Sequence, residues 1–129
     1  MKKEADKKKI AAYEWGRKAE DLVVKEYIKQ GYTVLERNWK LGKTEIDIIV
    51  QKDSQIILVE VKARVDLNLN PLEAVTSDKR KRMIKAADAY IQRLQGLYDY
   101  RFDIASCSGT EESYKIEILK DAFVSADMF

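Results

Sequence analysis

The chain has 129 residues, enough for one domain with a single core and too few for two domains of ordinary size. Hydrophobic residues make up 46% of it and charged residues 36%, a balance typical of a soluble globular protein and unlike that of a disordered chain or a membrane protein. The net charge of +2 is too small to indicate a nucleic-acid partner by itself. We therefore expect a single domain over residues 1–129.

Several kinds of location and chemistry are disfavoured by the residue types present. No apolar run approaches the roughly 20 residues of a spanning helix, and the N-terminus lacks the apolar stretch of a secretory signal, so we expect a cytoplasmic protein. The only cysteine, Cys107, cannot form an internal disulfide. There is no histidine, the usual base at neutral pH and the usual nitrogen ligand of zinc. Catalysis would therefore use carboxylates, lysines or a metal ion held by oxygen atoms.

The N-terminal part of the chain predicts one long helix and one strand. Lysines crowd residues 1–9, which we expect to be a flexible or frayed basic N-terminus. From about Glu4 to Gln30 apolar residues recur at helical spacing, and Gly31 supplies a stop. The segment YTVLERNW has the β-branched and aromatic content of a strand, and a turn follows near Gly42.

The next segment, TEIDIIVQKDSQIILVEVKAR at residues 44–64, predicts two strands that form a hairpin. Side chains alternate between faces along a strand, so Ile46, Ile48 and Val50 are expected to share one face. Glu45 and Asp47 are expected to share the other.

A two-residue turn at Asp53–Ser54 would place Asp47 directly opposite Glu60 and Glu45 opposite Lys62. Like charges so placed repel each other. Either one carboxyl is protonated with a raised pKa, or both bind a cation, and oxygen ligands suit magnesium or manganese. The alternative is an edge hairpin with a solvated outer face and an ordinary salt bridge between Glu45 and Lys62. Side-chain alternation alone favours that alternative.

The rest of the chain predicts a loop, a second helix and two more strands. Residues 65–77 are rich in asparagine and hold the only proline, which favours a long loop or a short turn-like helix. An amphipathic helix follows from Ser77 to about Leu94, with Thr76 or Ser77 as its N-cap. YRFDIASCS and YKIEIL then alternate as strands. The order α-β-β-β-α-β-β predicts an α/β fold with a mixed β-sheet flanked by helices.

Asp47 together with EVK at residues 60–62 resembles the D…(D/E)-x-K signature of the restriction-endonuclease-like nuclease superfamily. A longer part of the chain resembles the YraN-like family of predicted bacterial endonucleases, which are similar to archaeal Holliday-junction resolvases. The resemblance covers about Gly16 to Phe123. It is carried, in the family's order, by GRKAEDLVVKEYIKQGYTVLERNW, EIDIIV, LVEVKAR, NPLEAVTSDKRKRMIKAADAYI, RFDIAS and DAF. It implies a restriction-endonuclease-like fold and magnesium-dependent hydrolysis of DNA, with branched or Holliday-junction-like structures as candidate substrates.

The resemblance also implies roles for individual residues. Asp47 and Glu60 match the carboxylates that bind magnesium or manganese, and the backbone of Val61 is a further expected ligand. Lys62 matches the motif lysine that orients or activates the attacking water. Glu20 matches the helix-one glutamate that completes the acidic cluster, the alternative being an ordinary surface glutamate.

Basic residues of the second helix are expected to contact the substrate. Lys79 matches a polar residue that reaches toward the site in related resolvases, the alternative being a snorkelling surface lysine. We expect Lys79, Arg80 and Arg82 to contact the DNA backbone, although helical spacing points Arg80 and Lys81 away from the inward face that holds Lys79. Glu45 is expected to support the site through a salt bridge.

Two further residues are not expected to belong to the site, and three others depart from the family pattern. Arg101 and Asp103 are expected to form a structural ion pair. Thr44 and Ala19 stand where the family usually or often has glycine, and Ile118 stands where many relatives have histidine. These departures leave the fine geometry and the substrate choice open.

The expected partner is DNA, with no membrane partner. A resolvase-like enzyme that cuts two strands would act as a symmetric homodimer. The main alternative is a non-catalytic nucleic-acid-binding protein that keeps the nuclease fold, and the intact set of Asp47, Glu60 and Lys62 argues against it. A basic RNA- or ribosome-associated domain is disfavoured because few aromatic residues interleave with the basic ones.

Overall fold

A computed structural model describes residues 2–64 and 75–123, so most of the loop expected at residues 65–77 lies outside the described part. The described helices and strands follow the predicted order α-β-β-β-α-β-β. None of the described helices has the length and apolar character needed to cross a membrane. The bounds are Lys2–Lys29 (α1), Thr33–Leu41 (β1), Thr44–Lys52 (β2), Gln55–Arg64 (β3), Ser77–Arg93 (α2), Asp99–Gly109 (β4) and Tyr114–Leu119 (β5).

The five strands form one mixed sheet in the order β1-β2-β3-β4-β5. Strands β3 and β4 are parallel, whereas the other neighbouring pairs are antiparallel. Parallel neighbours need a crossover connection, and α2 lies within the one that joins β3 to β4. The predicted mixed sheet flanked by helices is thus confirmed.

The two helices pack on two different clusters of buried apolar side chains. Val23 and Tyr27 bring α1 into contact with one cluster, and Met83 with its neighbours brings α2 into contact with the other. Alternate residues of β3 enter the two clusters, as strand geometry requires when both faces of a sheet are covered. The near-continuous apolar runs of β2 and β3 follow from this burial on both faces.

Helix α1 is longer than the core it packs on. Residues 2–9, expected to be a flexible or frayed N-terminus, form its first turns. Every side chain from Lys3 to Glu14 is exposed, and the first fully buried side chain along the helix is Ala19. The helix ends as predicted before Gly31, whose φ of 95° suits glycine. The N-terminal half of α1 therefore extends beyond the packed core.

The β2–β3 hairpin has the predicted two-residue turn at Asp53–Ser54 and the predicted register. Pairing continues from the turn to Ile48 opposite Val59 and ends there. It therefore stops one pair short of Asp47 and Glu60, which the sequence placed directly opposite each other. The two strands separate where these carboxylates lie.

The expected alternation of side chains along β2 is wrong at Ile46. Ile48 and Val50 belong to the cluster under α1, whereas Ile46 belongs to the cluster under α2. The change of face coincides with the end of the β2–β3 ladder and with Asn38, which has a φ of 51° in the neighbouring strand β1. Asp47 lies at this change of face, so its side chain can be reached from both helices.

Candidate active site

Where β2 and β3 separate, a cleft opens that both helices border. It consists of two adjoining cavities of about 320 Å³ each, which share Glu45, Asp47 and Glu60. We call them the α1 cavity and the α2 cavity. The α1 cavity is lined further by Ala12, Tyr13, Gly16, Arg17, Glu20, Asn38, Val61 and Ala63, and the α2 cavity by Lys43, Thr44, Lys79 and Arg82.

The carboxylate of Asp47 bridges the gap between the two strands. Its Oδ2 accepts a hydrogen bond of 2.8 Å from the backbone N–H of Val61 on β3. Burial and then the charge of Glu60 raise the pKa of Asp47 to about 7, and the charge of Glu20 adds to this effect. The Val61 hydrogen bond and Lys79 act in the opposite direction. Asp47 is therefore held in place in an environment that disfavours its ionised form.

Glu60 is 4% exposed and is surrounded by lysine side chains. Its Oε1 accepts a hydrogen bond from Lys79 Nζ, and Lys62 Nζ lies 3.4 Å from the same oxygen. Two ammonium groups thus balance a carboxylate that burial alone would destabilise. Lys79 reaches the carboxylates from the first turn of α2, a point that the sequence left open.

Among the described residues, Glu45 and Lys62 do not form the expected salt bridge with each other. Lys62 pairs with Glu60, while Glu45 Oε1 accepts a hydrogen bond of 2.9 Å from Asn38 Nδ2. The physical reason is the early end of the β2–β3 ladder, which would otherwise have set Glu45 opposite Lys62. Glu45 is thus tied to β1 rather than to β3.

Asn38 is a residue of the cleft that the sequence analysis missed. Its Nδ2 donates to Glu20 Oε1 at 3.2 Å as well as to Glu45, so one amide links carboxylates of α1 and β2. Its backbone φ of 51° lies in the left-handed region, where asparagine is tolerated better than most residues. The signal in the sequence that could have identified Asn38 is an asparagine within a segment that otherwise has strand-forming residues. The amide supports the two carboxylates and sets their positions.

The basic residues divide into two groups. Arg82 lines the α2 cavity as expected, together with Lys43, which the sequence analysis did not single out. Arg80, in contrast, donates to the backbone carbonyl of Val75 at 3.1 Å, and its guanidinium lies 5.7 Å from the ring centroid of Phe123. Arg80 is not among the residues that line either cavity, and its expected contact with the substrate stays a prediction.

Asp103 is fully buried and holds three elements together. It accepts hydrogen bonds from Tyr27 Oη at 2.7 Å, from Arg101 Nε at 2.9 Å and from the backbone of Asp121 at 3.0 Å. Burial and this neighbouring carboxylate raise the pKa of Tyr27 above its ordinary range. The contacts agree with the predicted structural ion pair.

The three departures from the family pattern take ordinary places in the fold. Ala19 is fully buried, and Ile118 packs against the cluster under α1. Thr44 lines the α2 cavity beside Glu45.

The chemistry of Asp47 and Glu60 fits a magnesium or manganese ion. Both are oxygen donors, burial and the charge of Glu60 raise the pKa of Asp47, and a cation between the two carboxylates would offset their repulsion. Among the described residues no group of three or more acidic, histidine or cysteine side chains is arranged to hold a metal. Further ligands would have to be backbone, water or phosphate oxygens, which is the usual way that magnesium is bound.

The chain is similar to proteins from several bacteria. A profile of the Uncharacterised protein family UPF0102 matches residues 19–107, a range that includes all the carboxylates and lysines that line the cleft. A UPF0102 protein of Chloroherpeton thalassium is 41% identical, with 89% of this chain and 92% of the relative covered. A UPF0102 protein of Bacteroides thetaiotaomicron is 38% identical over 85% of this chain and 92% of the relative.

Proposed function

The chain belongs to the UPF0102 family, and from this membership and the chemistry of the cleft we propose that it is a metal-dependent endonuclease that hydrolyses DNA phosphodiester bonds. The observation that carries the proposal is the half-buried Asp47 beside the buried Glu60, with Lys62 Nζ 3.4 Å from Glu60. The resemblance of this set to the D…(D/E)-x-K signature supports the same activity.

Asp47 and Glu60 would hold the ion, with the backbone of Val61 as a further ligand. When bound, magnesium or manganese would neutralise charge on the phosphate and lower the pKa of a coordinated water. Lys62 would position the attacking water and balance the charge that develops on the phosphate. Glu20, fixed by Asn38, would keep negative charge at the edge of the ion site and assist a second ion.

Cations on both sides of the carboxylates would hold the phosphates of the substrate. Arg17 lies on the wall formed by α1, whereas Lys79 and Arg82 lie on the wall formed by α2, and Lys43 lies at the β1–β2 turn. Contacts of this kind position a nucleic acid without reading its sequence. We expect the enzyme to act in the cytoplasm and, if it cuts both strands of a branched DNA, to act as a symmetric homodimer.

The competing function is nucleic-acid binding without turnover. The ion pairs of Glu60 with two lysines favour it, because they satisfy the carboxylate without a metal. The raised pKa of Asp47 argues for the enzyme, since a binding surface has no need to bury a second carboxyl beside Glu60.

The test is cleavage of branched and linear DNA by the purified protein in magnesium or manganese. We expect the wild type to cleave at least one of these DNAs, and Lys62→Ala and Asp47→Asn to lower the rate at least about a hundredfold, the range for loss of a positioned group at a reacting phosphate. Lys115→Ala is the matched control, since Lys115 pairs with the exposed Glu117 on β5 and should cut as the wild type does.

Manganese titration separates the two functions. Asp47→Asn should weaken manganese binding, whereas Lys115→Ala should leave it unchanged. Equal cleavage by the wild type and Lys62→Ala would refute the assigned site. DNA binding without manganese binding or cleavage would favour the non-catalytic alternative.

A further inference from the structure

An aromatic side chain stands on the wall of the cleft without a packing role. Tyr13 lines the α1 cavity together with Asp47 and Glu60, yet it is 64% exposed. It lies within the half of α1 that extends beyond the core, where every side chain from Lys3 to Glu14 is exposed. An exposed tyrosine ring beside a charged cleft provides a flat surface on which a planar group can stack.

An arginine is fixed against this tyrosine. Arg17 lies one helical turn after Tyr13, its guanidinium is 5.6 Å from the ring centroid, and its Nη1 donates to Tyr13 Oη at 3.0 Å. Arg17 also lines the α1 cavity. The pair therefore presents a π face and a positive charge side by side, a combination that recurs where proteins bind single-stranded nucleic acid.

Gly16 lines the α1 cavity together with Arg17 and Glu20, and it adds no side chain there. A Cβ atom built on Gly16 would meet nothing within 4 Å, so no neighbouring atom requires a glycine there. Glycine within a helix costs roughly 0.5–1 kcal/mol relative to alanine. A glycine that packing does not require, and that lines the cavity, leaves clearance for a bound group.

The opposite wall differs in kind. The described residues that line the α2 cavity include Lys43, Lys79 and Arg82 but no aromatic residue. That wall can hold phosphates, whereas the α1 wall can hold both a phosphate and a base. A DNA strand lying across Asp47 and Glu60 would thus meet different surfaces before and after the carboxylates.

We propose that Tyr13 and Arg17 form a subsite for an unpaired nucleotide, in which the tyrosine ring stacks on the base and the guanidinium binds its phosphate. This inference rests on the proposed function and names its substrate class: DNA in which a single strand adjoins a duplex. The single strand lies along α1, and the duplex phosphates lie along α2. A fully paired duplex cannot present a free base face to Tyr13, because its bases are stacked inside the helix.

The test is binding in EDTA of three labelled DNAs: an oligothymidine strand, a perfect duplex, and the same duplex with an oligothymidine flap. Fluorescence anisotropy gives the Kd of each. We expect Tyr13→Ala to weaken binding of the strand and the flap roughly tenfold, the effect of losing one stacked base, and to leave the duplex within about twofold. Tyr13→Phe should keep most of the affinity because the ring remains.

Tyr114→Ala is the matched control. Tyr114 is 46% exposed on β5 and lines neither cavity, so its replacement should leave all three affinities unchanged. Circular dichroism melts should show no change for Tyr13→Ala, since its side chain is outside the core.

The outcomes separate this inference from the proposed function. Equal flap affinity of wild type and Tyr13→Ala, or an equal loss on all three DNAs, refutes the subsite even if the wild type cleaves DNA. Loss confined to the strand and the flap supports the subsite even if no cleavage is seen. Failure of the wild type to bind any of the three DNAs refutes the subsite, and cleavage of DNA in magnesium or manganese then decides the proposed function separately.

Discussion

The proposed function needs an ionised carboxylate at Asp47, whereas the stability of the folded protein favours a neutral one. The carboxyl of Asp47 is half-buried beside Glu60, so its pKa in the folded protein is raised to about 7, whereas the unfolded chain has no such environment. A carboxyl with a raised pKa in the fold contributes stability that is complete below the unfolded value of about 4. That contribution is lost as the pH rises through about 7.

We therefore predict that Asp47→Asn stabilises the metal-free protein at pH 8 by about 1–3 kcal/mol, because the amide removes the buried charge. The asparagine Oδ1 can still accept the hydrogen bond from Val61 N–H. Below about pH 4 the difference should vanish, since Asp47 is then neutral in the wild type. Urea unfolding of both proteins in EDTA at the two pH values measures this, and a pH-independent difference would contradict the assigned cause.

At two other positions a single side chain connects different elements of the fold. Asn38 ties Glu20 and Glu45 together, and Lys79 links α2 to Glu60. Each joins different elements through residues at least seven positions apart, so neither contact could be derived from the periodicity of one helix or strand. The family resemblance pointed to Lys79 only as a polar residue near the site.

At the scale of elements, the start of α2 matters because it carries Lys79. Of the two N-cap candidates in the sequence, Thr76 and Ser77, the structure selects Thr76, whose Oγ1 accepts a hydrogen bond of 3.2 Å from the backbone N–H of Lys79. We predict that Thr76→Ala lowers the free energy of unfolding by about 1 kcal/mol. Thermal melts should show no loss for Ser77→Ala, the neighbouring control. Equal stability of the Thr76 variant and the wild type would rule out the cap.

The contact of α1 with β4 combines apolar packing around Ala105 with one buried hydrogen bond. Tyr27 Oη donates to Asp103, which also receives Arg101. We predict that Tyr27→Phe costs about 1–2 kcal/mol and that Asp103→Ala costs about 3–5 kcal/mol, since the second change leaves a partly buried arginine unpaired. Urea denaturation measures both. As a control, Tyr114→Phe on β5 should change the free energy of unfolding by less than about 0.5 kcal/mol. If Tyr27→Phe changes it by as little, the hydrogen bond to Asp103 contributes little to stability.

At the scale of the whole molecule, the charges matter through their arrangement and not through the net value of +2. Cations flank the carboxylates on both walls of the cleft, and in the proposed function they would hold a polyanion with its phosphate over the acidic groups. Such binding releases counterions and weakens as salt rises.

We predict that Lys43→Ala and Arg82→Ala each reduce the slope of log K against log salt concentration by about one, because each removes one phosphate contact. Lys81→Ala on the same helix as Arg82 should leave the slope unchanged, since Lys81 lines neither cavity. Anisotropy titrations of duplex DNA at several salt concentrations measure the slopes. Equal slopes for all four proteins would exclude the α2 cavity as the phosphate-binding surface.

The sequence by itself determined the order of the elements, the turn of the β2–β3 hairpin and its register up to Ile48 and Val59. These features depend on side-chain periodicity and on turn residues a few positions apart, which a single chain displays directly. The sequence also identified Asp47, Glu60 and Lys62 as charges that apolar strands would not ordinarily hold.

Only the tertiary structure decided how those charges are partnered. The ladder ends before Asp47, so Glu45 bonds to Asn38 on β1 and Lys62 pairs with Glu60. Where a ladder ends depends on the packing of the whole sheet between two helices, and this packing joins residues far apart in the chain. The same long-range packing brings the exposed half of α1 beside the carboxylates, which no local pattern could specify.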